Sequence, residues 1–255
     1  MGDGPVYVYG IARSGLETVG LRGLDGRPVD AVVQDGIAAL VSDAGPHEVR
    51  TTRDRLLAHA RVLEELVVDH TVLPMRFGVV APSEAALRHG VLMPRRKLFA
   101  KLLDRLEGSV EIDVRVFYEE AAILREIVRS TPAVRRLQMS IGNRPAEATY
   151  YDRIELGQLV ADAITKQAQR DGPRIGGVLK RLAIDSRPRD HSHERMVLNG
   201  AFLVKRADVT RFERTAESLE SQGRFTVRVV GPMPPYSFVD LEVEPARKGR
   251  RSWAS

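Results

Sequence analysis

The dipeptide Asp35-Gly36 separates two apolar runs, Val29–Gln34 and Ile37–Ser42. A two-residue connection of this kind needs positive φ at both central residues, which aspartate and glycine tolerate, so the pattern predicts a β-hairpin. Upstream, the β-branched and aromatic run Val6–Ile11 predicts another strand. The N-terminal part of the chain is therefore expected to form an antiparallel sheet.

A helical pattern follows the hairpin. Either Thr51 or Thr52 can cap a helix that continues to His70. Helical spacing predicts that its buried stripe consists of Leu56, Ala60, Leu63 and Val67, joined by Leu57, Leu66 and Val68. A short strand interrupted by Pro74 is expected over 71–80, and a second helical stretch from Ser83 to Leu106, bent or broken at Pro94.

The next strand, Val110–Phe117, alternates strictly between apolar and other residues, so we expect one buried face and one wet face. Helix is predicted over 121–137 with a break at Pro132, and again over 146–170 with its end at Gly172-Pro173. The remaining elements are predicted as strands over 182–186 and 195–205, a helix over 209–221, and strands over 225–230 and 236–243.

Antiparallel strands interrupted by helices indicate an α+β fold. The pattern predicts a domain boundary at 139–145, with an N-terminal α+β domain at 1–139 and a C-terminal domain at 146–243. Four cationic residues, Arg247, Lys248, Arg250 and Arg251, lie in the last stretch, 244–255, which is expected to be a frayed basic tail.

Composition excludes several classes of function. The chain has 255 residues and no cysteine, which rules out disulfides, thiolate metal sites and cysteine nucleophiles. No apolar stretch approaches the length of a membrane helix, and the first residues lack the features of a signal peptide, so we expect a cytoplasmic protein. The net charge is +5, most of it in the tail, which argues against nucleic-acid binding by the folded body.

The sequence also lacks the patterns that hold cofactors. Its glycine-rich stretch at 15–26 has the wrong spacing for a dinucleotide fold, and no phosphate-binding loop motif occurs. The densest group of possible metal ligands, His191-Ser192-His193-Glu194, follows a polar turn and is expected to be a solvated loop. We therefore predict no catalytic, cofactor-binding or metal-binding residues.

Five blocks of the sequence stand out by their wording: Val6–Ile11, His59–Glu64, Thr71–Val80, Asn199–Val204 and Gly231–Val239. In this order they resemble the gas vesicle protein F/L family (GvpL/GvpF). The blocks T-V-L-P-M-R-F-G and G-P-M-P-P-Y-S-F are long and unusual, and the resemblance extends from near residue 6 to near residue 242.

The resemblance implies a non-enzymatic, cytoplasmic assembly factor associated with gas vesicles. Its partners would be the small hydrophobic shell protein, other accessory proteins, or both, during nucleation or shell growth. The resemblance also implies two α+β domains, of which the second is a ferredoxin-like variant preceded by a long helix. F-like and L-like membership stay open, as does the oligomeric state. The alternative is a small-ligand-binding protein or enzyme built on a ferredoxin-like domain, which hosts many functions.

Two of the blocks supply candidate partner-binding residues. Pro74 lacks an N–H, so its strand belongs at a sheet edge. Arg76 either pairs with Glu64, Glu65 or Asp69 of the preceding helix, or marks an edge that binds a partner strand. The late proline run either delivers aromatic side chains to the core or presents a pre-ordered surface. The six candidates are Arg76, Phe77, Pro234, Pro235, Tyr236 and Phe238.

Overall fold

The computed structural model describes residues 4–46, 49–142, 144–145 and 147–239. They form two compact units: the first holds the described residues up to Val110 and from Met233 onward, and the second is Glu111–Pro232. The strands are β1 (Val6–Arg13), β2 (Asp30–Gln34), β3 (Ile37–Asp43), β4 (Val72–Pro74), β5 (Val80–Ala81), β6 (Ser109–Tyr118), β7 (Asp185–Pro188), β8 (Met196–Lys205) and β9 (Phe225–Met233). The helices are α1 (Arg53–Val67), α2 (Glu84–Leu87), α3 (Met93–Leu106), α4 (Glu120–Ser130), α5 (Pro132–Ile141), α6 (Tyr150–Lys180) and α7 (Val209–Glu217).

The first unit contains an antiparallel sheet with strand order β2-β3-β1-β4, and β5 also pairs with β1. The predicted hairpin is confirmed, because Gln34 pairs with Ile37 and the turn residues Asp35 and Gly36 have φ values of 47° and 82°. Strand β4 lies at the edge of this sheet, as the proline at position 74 requires.

Helix α1 begins where the sequence predicts, since the Thr52 side chain accepts a hydrogen bond from the Arg55 amide at 3.3 Å. The predicted apolar stripe is partly wrong. Leu56, Leu57 and Val68 are 43%, 52% and 65% exposed. The buried face consists of His59, Val62, Leu63, Leu66 and Val67. This side of α1 is the buried one because His59 is a core residue, and both of its ring nitrogens have hydrogen-bond partners inside the unit.

The predicted second helical stretch is confirmed as a chain of three parts. Ser83 caps α2, a π-helical turn at Arg88–Leu92 follows, and Pro94 lies in the first turn of α3. The π-helical turn runs directly into α3, since the Met93 amide donates to the Arg88 carbonyl.

The second unit has the β-α-β-β-α-β order of the ferredoxin-like fold, with β6, the helices α4 to α6, β7, β8, α7 and β9 following one another. The strands are arranged β7-β8-β6-β9, so β6 is a central strand. The predicted boundary at 139–145 would assign β6, α4 and α5 to the first domain. The compact units instead divide at 110/111 and 232/233, because strand pairing and helix packing connect β6 to residues far along the chain.

The prediction of a wet face on β6 is partly wrong, because Arg115 is exposed but the two carboxylates of that face are buried. Glu111 is fully buried and Asp113 is 8% exposed. Both carboxylates pair with the guanidinium of Arg189, which follows β7; the Glu111 contact is 2.9 Å long. The alternating pattern thus indicated two faces of different chemistry. The carboxylates of the second face are buried because they pair with Arg189.

Two predicted element ends are also wrong. Helix α6 does not stop at Gly172-Pro173 but continues to Lys180, because Ile175, Gly176 and Leu179 are buried and their packing outweighs the hydrogen bond lost at the proline. The final predicted strand begins instead as a 3₁₀ turn, Tyr236–Phe238. Residues 240–243 of that predicted strand, and the basic tail, lie outside the described residues.

Candidate functional site

The six candidate residues all lie in the first unit, although Phe77 and Pro234 are 157 positions apart in the sequence. Their exposure differs. Arg76 is exposed, Phe77 is half-buried and Tyr236 is 41% exposed. Pro234, Pro235 and Phe238 are buried, and Phe238 is only 1% exposed. Three of the six can therefore touch a partner, and the other three support them.

The ring of Tyr7 on β1 lies at the centre of this region. Phe77 and His59 each pack against it, with centroid distances of 5.8 and 5.7 Å, and Tyr9 packs edge-on at 4.9 Å. The Tyr7 hydroxyl accepts a hydrogen bond from the Gly78 amide at 3.2 Å. One buried phenol thus holds the loop that displays Arg76 and Phe77.

His59 holds the same loop from the other side. Its Nε2 lies 3.1 Å from the Met75 carbonyl oxygen and its Nδ1 lies 2.8 Å from the Tyr7 hydroxyl. A carbonyl can only accept, so Nε2 carries the proton and Nδ1 accepts from Tyr7. This neutral tautomer satisfies both ring nitrogens. Burial lowers the pKa of His59, and the Met75 carbonyl opposes that effect by favouring the protonated form.

Tyr236 interacts electrostatically with the buried phenol of Tyr7. Burial raises the pKa of the Tyr7 hydroxyl, the Gly78 amide lowers it in part, and the phenols of Tyr9 and Tyr236 add smaller upward effects. Each of the two unusual sequence blocks therefore carries a residue that interacts with Tyr7: Phe77 packs on its ring, and Tyr236 has a small electrostatic effect on its hydroxyl. We call the exposed residues Arg76 and Tyr236, together with the half-buried Phe77, the Tyr7 surface.

The turn that carries Tyr236 is held by short local bonds and by α3. The Tyr236 amide donates to the Pro234 carbonyl at 2.7 Å, and the Phe238 amide donates to the Pro235 carbonyl at 3.0 Å. The Arg105 guanidinium donates to the Phe238 carbonyl. Since two prolines have fixed φ and Phe238 is buried, Tyr236 is presented on a rigid turn.

The proposed ion pair of Arg76 is not formed. Within the described residues, Arg76 has no carboxylate within ion-pair distance, so it does not connect α1 to the edge strand. Strand addition at this edge is also disfavoured. The Met75 amide bonds the Tyr9 carbonyl, so the alternate residues Val72 and Pro74 face away from β1, and Pro74 has no amide to offer.

The histidine-rich segment 191–194 is exposed, as predicted, and lies in the second unit. It lines one end of an open groove of about 1040 Å³ between α6 and the β7–β8 hairpin. No group of three or more His, Asp or Glu side chains that could hold a metal ion occurs among the residues that the structure describes. Within the same residues, no helix combines the length and apolar character needed to cross a bilayer.

Sequence reasoning missed Tyr7 and His59 as positioning residues. His59 has no local signal beyond its place on a helix, and its partners Tyr7 and Met75 are 52 and 16 positions away. A histidine on the buried side of α1 could have been suspected only if the stripe had been assigned to the correct face.

Comparison with known proteins gives consistent matches along the chain. The family model described as "Gas vesicle synthesis protein GvpL/GvpF" matches residues 5–240. "Gas vesicle protein F" of Streptomyces sp. is 38% identical over 240 residues, which cover 92% of this chain and 99% of that protein. "Gas vesicle protein L" of Streptomyces sp. is 26% identical over 257 residues, covering 93% and 94%. The crystal structure of the gas vesicle protein GvpF from Anabaena sp. superposes with a TM-score of 0.79 at 26% identity, covering 93% of this chain and 99% of that one.

Proposed function

The chain belongs to the GvpL/GvpF family of gas vesicle synthesis proteins, and on that premise we propose that it binds the small hydrophobic shell protein during gas vesicle assembly. A shell subunit that self-associates through apolar faces and sheet edges is prone to aggregate before it is incorporated. A partner that covers those surfaces and releases them at the growing shell needs moderate affinity and no covalent chemistry. The chain acts as an assembly factor of this kind.

The observation that carries the proposal is the Tyr7 surface. Arg76, Phe77 and Tyr236 combine a cation, a phenyl ring and a phenol, all displayed by segments that buried hydrogen bonds and prolines hold in place. Aromatic and arginine side chains on a rigid support contribute most of the binding energy in many interfaces. Because little conformational entropy is lost when such a surface binds, modest contact area suffices.

Contact through side chains is favoured over strand addition. An incoming strand at the β4 edge would find the Val72 amide but none at Pro74. The proposed interface is therefore the aromatic and cationic surface itself, with Pro234, Pro235 and Phe238 as its support.

Membership of the F type is also part of the proposal. The chain is 38% identical to protein F of Streptomyces sp. and 26% identical to protein L of Streptomyces sp.. A cytoplasmic location beside growing vesicles follows from the proposed role.

The test is co-expression of the shell protein with the full chain, with the soluble fraction and co-purification as readouts. We expect the wild-type chain to keep the shell protein soluble at a stoichiometric ratio. The double variant Arg76→Glu/Tyr236→Ala should lose this effect. A matched control, Arg135→Glu/Tyr151→Ala, changes an exposed arginine and an exposed tyrosine of the second unit and should retain it.

Two results would overturn the proposal. Shell protein that precipitates equally with and without the wild-type chain contradicts binding altogether. Full solubilisation by the Arg76→Glu/Tyr236→Ala variant contradicts the location of the interface.

A further inference from the structure

The groove in the second unit has two walls of different character. One wall is the C-terminal half of α6, which contributes Ala168, Gly172, Gly176 and Gly177. The other wall is the β7–β8 hairpin, with Leu198 and Phe202 among its apolar lining. The groove is open to solvent and lies wholly within Glu111–Pro232.

Glycines give the helical wall its low profile. A Cβ at Gly172 would lie 2.7 Å from the Val197 carbonyl oxygen, so that glycine is required for α6 to approach β8. A Cβ at Gly177 would meet nothing within 4 Å. The missing side chain at 177 is therefore not needed for packing of the fold, and it leaves the groove open to a close neighbour.

Unpaired cations follow the solvent side of the helical wall. Lys166, Arg170 and Arg174 recur every four residues on one face of α6, and Arg181 follows directly after the helix end. Lys180 is the one of these five cations that lines the groove. All five are exposed, and among the described residues none of them has a carboxylate within ion-pair distance. Apolar side chains line the floor of the groove, and a cationic rim borders its helical wall, because Arg170, Arg174 and Arg181 are seven, three and four positions from the lining residue Gly177.

Strand β7, the outer edge of the second sheet, is closed to strand addition. The Arg189 amide bonds the Asn199 carbonyl, so the alternate residues Arg187 and Asp185 face β8, and Ser186 and Pro188 face outward. The Ser186 amide already donates to the Asp185 carboxylate at 2.8 Å, and Pro188 has no amide. An extended peptide would gain no main-chain donor there, so an occupant of this groove binds through its side chains.

We propose that this groove is a second docking site, and that its occupant is an amphipathic helix of a partner protein with an apolar face and acidic flanks. A helix presents both chemistries at once: its apolar stripe covers the floor, and its carboxylates face the cations of α6. The site differs from the Tyr7 surface in location and in chemistry, and it does not depend on the proposed shell-protein contact.

Nucleic acid fits the groove less well. Among the described residues that line it, Phe202 supplies the only phenyl ring and is 2% exposed, so unpaired bases would lack an aromatic platform apart from the histidines. The apolar floor would also stay uncovered by a phosphate backbone. RNA binding is therefore an outcome for the test to detect rather than the proposal.

The test uses the full chain and a fluorescein-labelled peptide of about 18 residues, or five helical turns. Leucines at i, i+3, i+4 and i+7 spacing form its apolar face, and glutamates occupy the other positions. A scrambled peptide of the same composition and a fluorescent oligouridylate are the comparison probes. Binding is measured by fluorescence anisotropy, and helix formation in the bound peptide by circular dichroism.

Two pairs of variants locate the binding. Gly177→Trp fills the groove, and Gly157→Trp places the same side chain on α6 outside it, at another glycine whose Cβ would meet nothing within 4 Å. Arg170→Glu/Arg174→Glu reverses the rim, and Arg135→Glu/Arg136→Glu makes the same charge change at exposed positions of α5. We expect Gly177→Trp and the rim variant each to weaken peptide binding at least about tenfold, which is about 1.4 kcal/mol, with both controls near wild type.

Several results would overturn the proposal. No binding of the amphipathic peptide, or equal binding of the scrambled peptide, contradicts recognition of a helix. Equal affinities of Gly177→Trp and wild type contradict the groove as the site. The oligouridylate could instead bind more tightly than the peptide, with binding lost in the rim variant and kept in Gly177→Trp. That result identifies a polyanion surface. None of these results bears on the solubility test of the proposed function.

Discussion

The Nδ1 atom of His59 lies 2.8 Å from the hydroxyl of Tyr7, which precedes it by 52 positions, and the two side chains are buried together. Through this contact, α1 and β1 jointly hold the loop that displays Arg76 and Phe77. The same contact makes the first unit sensitive to acid, because protonation at Nδ1 would replace an acceptor by a donor facing a hydroxyl that already donates to it.

We predict that stability falls as the pH drops below about 6.5, the ordinary pKa of histidine. Burial holds the pKa of His59 below that value in the folded state. The unfolded chain therefore binds more protons in the window between the two pKa values, and the stabilisation present above 6.5 is lost as pH falls through it. The contribution is at most about 1.4 kcal/mol per pH unit. Urea unfolding at a series of pH values measures it.

The control for this effect is His59→Gln, since an amide can accept from Tyr7 and donate to Met75 without titrating. Its free energy of unfolding should change less steeply between pH 7 and 5 than that of the wild type, as the histidine titration predicts. Parallel pH profiles for the two proteins would show that His59 is not the titrating group.

A second prediction concerns Asp171, which lies on α6 in the second unit. Its Oδ2 accepts from the Tyr118 hydroxyl at 2.7 Å, from Arg224 at 2.7 Å and from Gln167 at 3.2 Å. Burial alone would raise the pKa of Asp171, but the hydrogen bonds from Tyr118, Arg224 and Gln167 together hold it below its usual range. Replacing Asp171 by alanine removes the acceptor of these three donors.

We expect Asp171→Ala to lower the free energy of unfolding by about 3–5 kcal/mol, as when one member of a buried ion pair is removed. Tyr118→Phe, which removes one hydrogen bond, should cost about 1–2 kcal/mol. Asp152→Ala breaks an exposed pair with Arg144 and serves as the control, at about 0–1 kcal/mol. Equal effects of Asp171→Ala and Asp152→Ala in chemical denaturation would contradict the role of this network.

A third prediction compares two glycines of α6. Gly172→Ala places a methyl group 2.7 Å from the Val197 carbonyl oxygen, a backbone atom that cannot rotate away. We expect a loss of about 1–3 kcal/mol from this overpacking. Gly157→Ala meets no neighbour and should gain up to about 1 kcal/mol from helix propensity. Thermal unfolding of both variants checks the difference, and a stabilised Gly172→Ala would mean that α6 does not approach β8 so closely.

A fourth prediction concerns Arg189, whose guanidinium pairs with Glu111 and Asp113 on β6. Arg189→Met keeps much of the side-chain length but leaves two buried carboxylates without their cation, so we expect a loss of about 3–5 kcal/mol. Adding Glu111→Gln and Asp113→Asn to that variant should recover part of the loss. Urea denaturation of the two proteins provides the comparison, and no recovery in the triple variant would assign the loss to packing.

Elements with local signals were predictable from the sequence. The Asp35-Gly36 hairpin, the Thr52 cap and the Ser83 helix start each depend on residues a few positions apart, and the structure confirms them. The alternating pattern of β6 correctly indicated two different faces. It could not predict that Glu111 and Asp113 are buried, because their burial depends on an arginine 76 to 78 positions away. Helix α6 passes Pro173 for the same reason: packing of Ile175 and Leu179 decides where it ends.

The sequence by itself determined the class of fold, the main elements and, through two unusual blocks, the family of the chain. Only the tertiary structure decided that Phe77 packs on Tyr7, that β6 belongs with the later strands, and that glycines of α6 line one groove. Hydrogen bonds in turns and helix caps join residues that are a few positions apart, so the local sequence indicates them. Core packing and buried ion pairs join positions that only folding brings together.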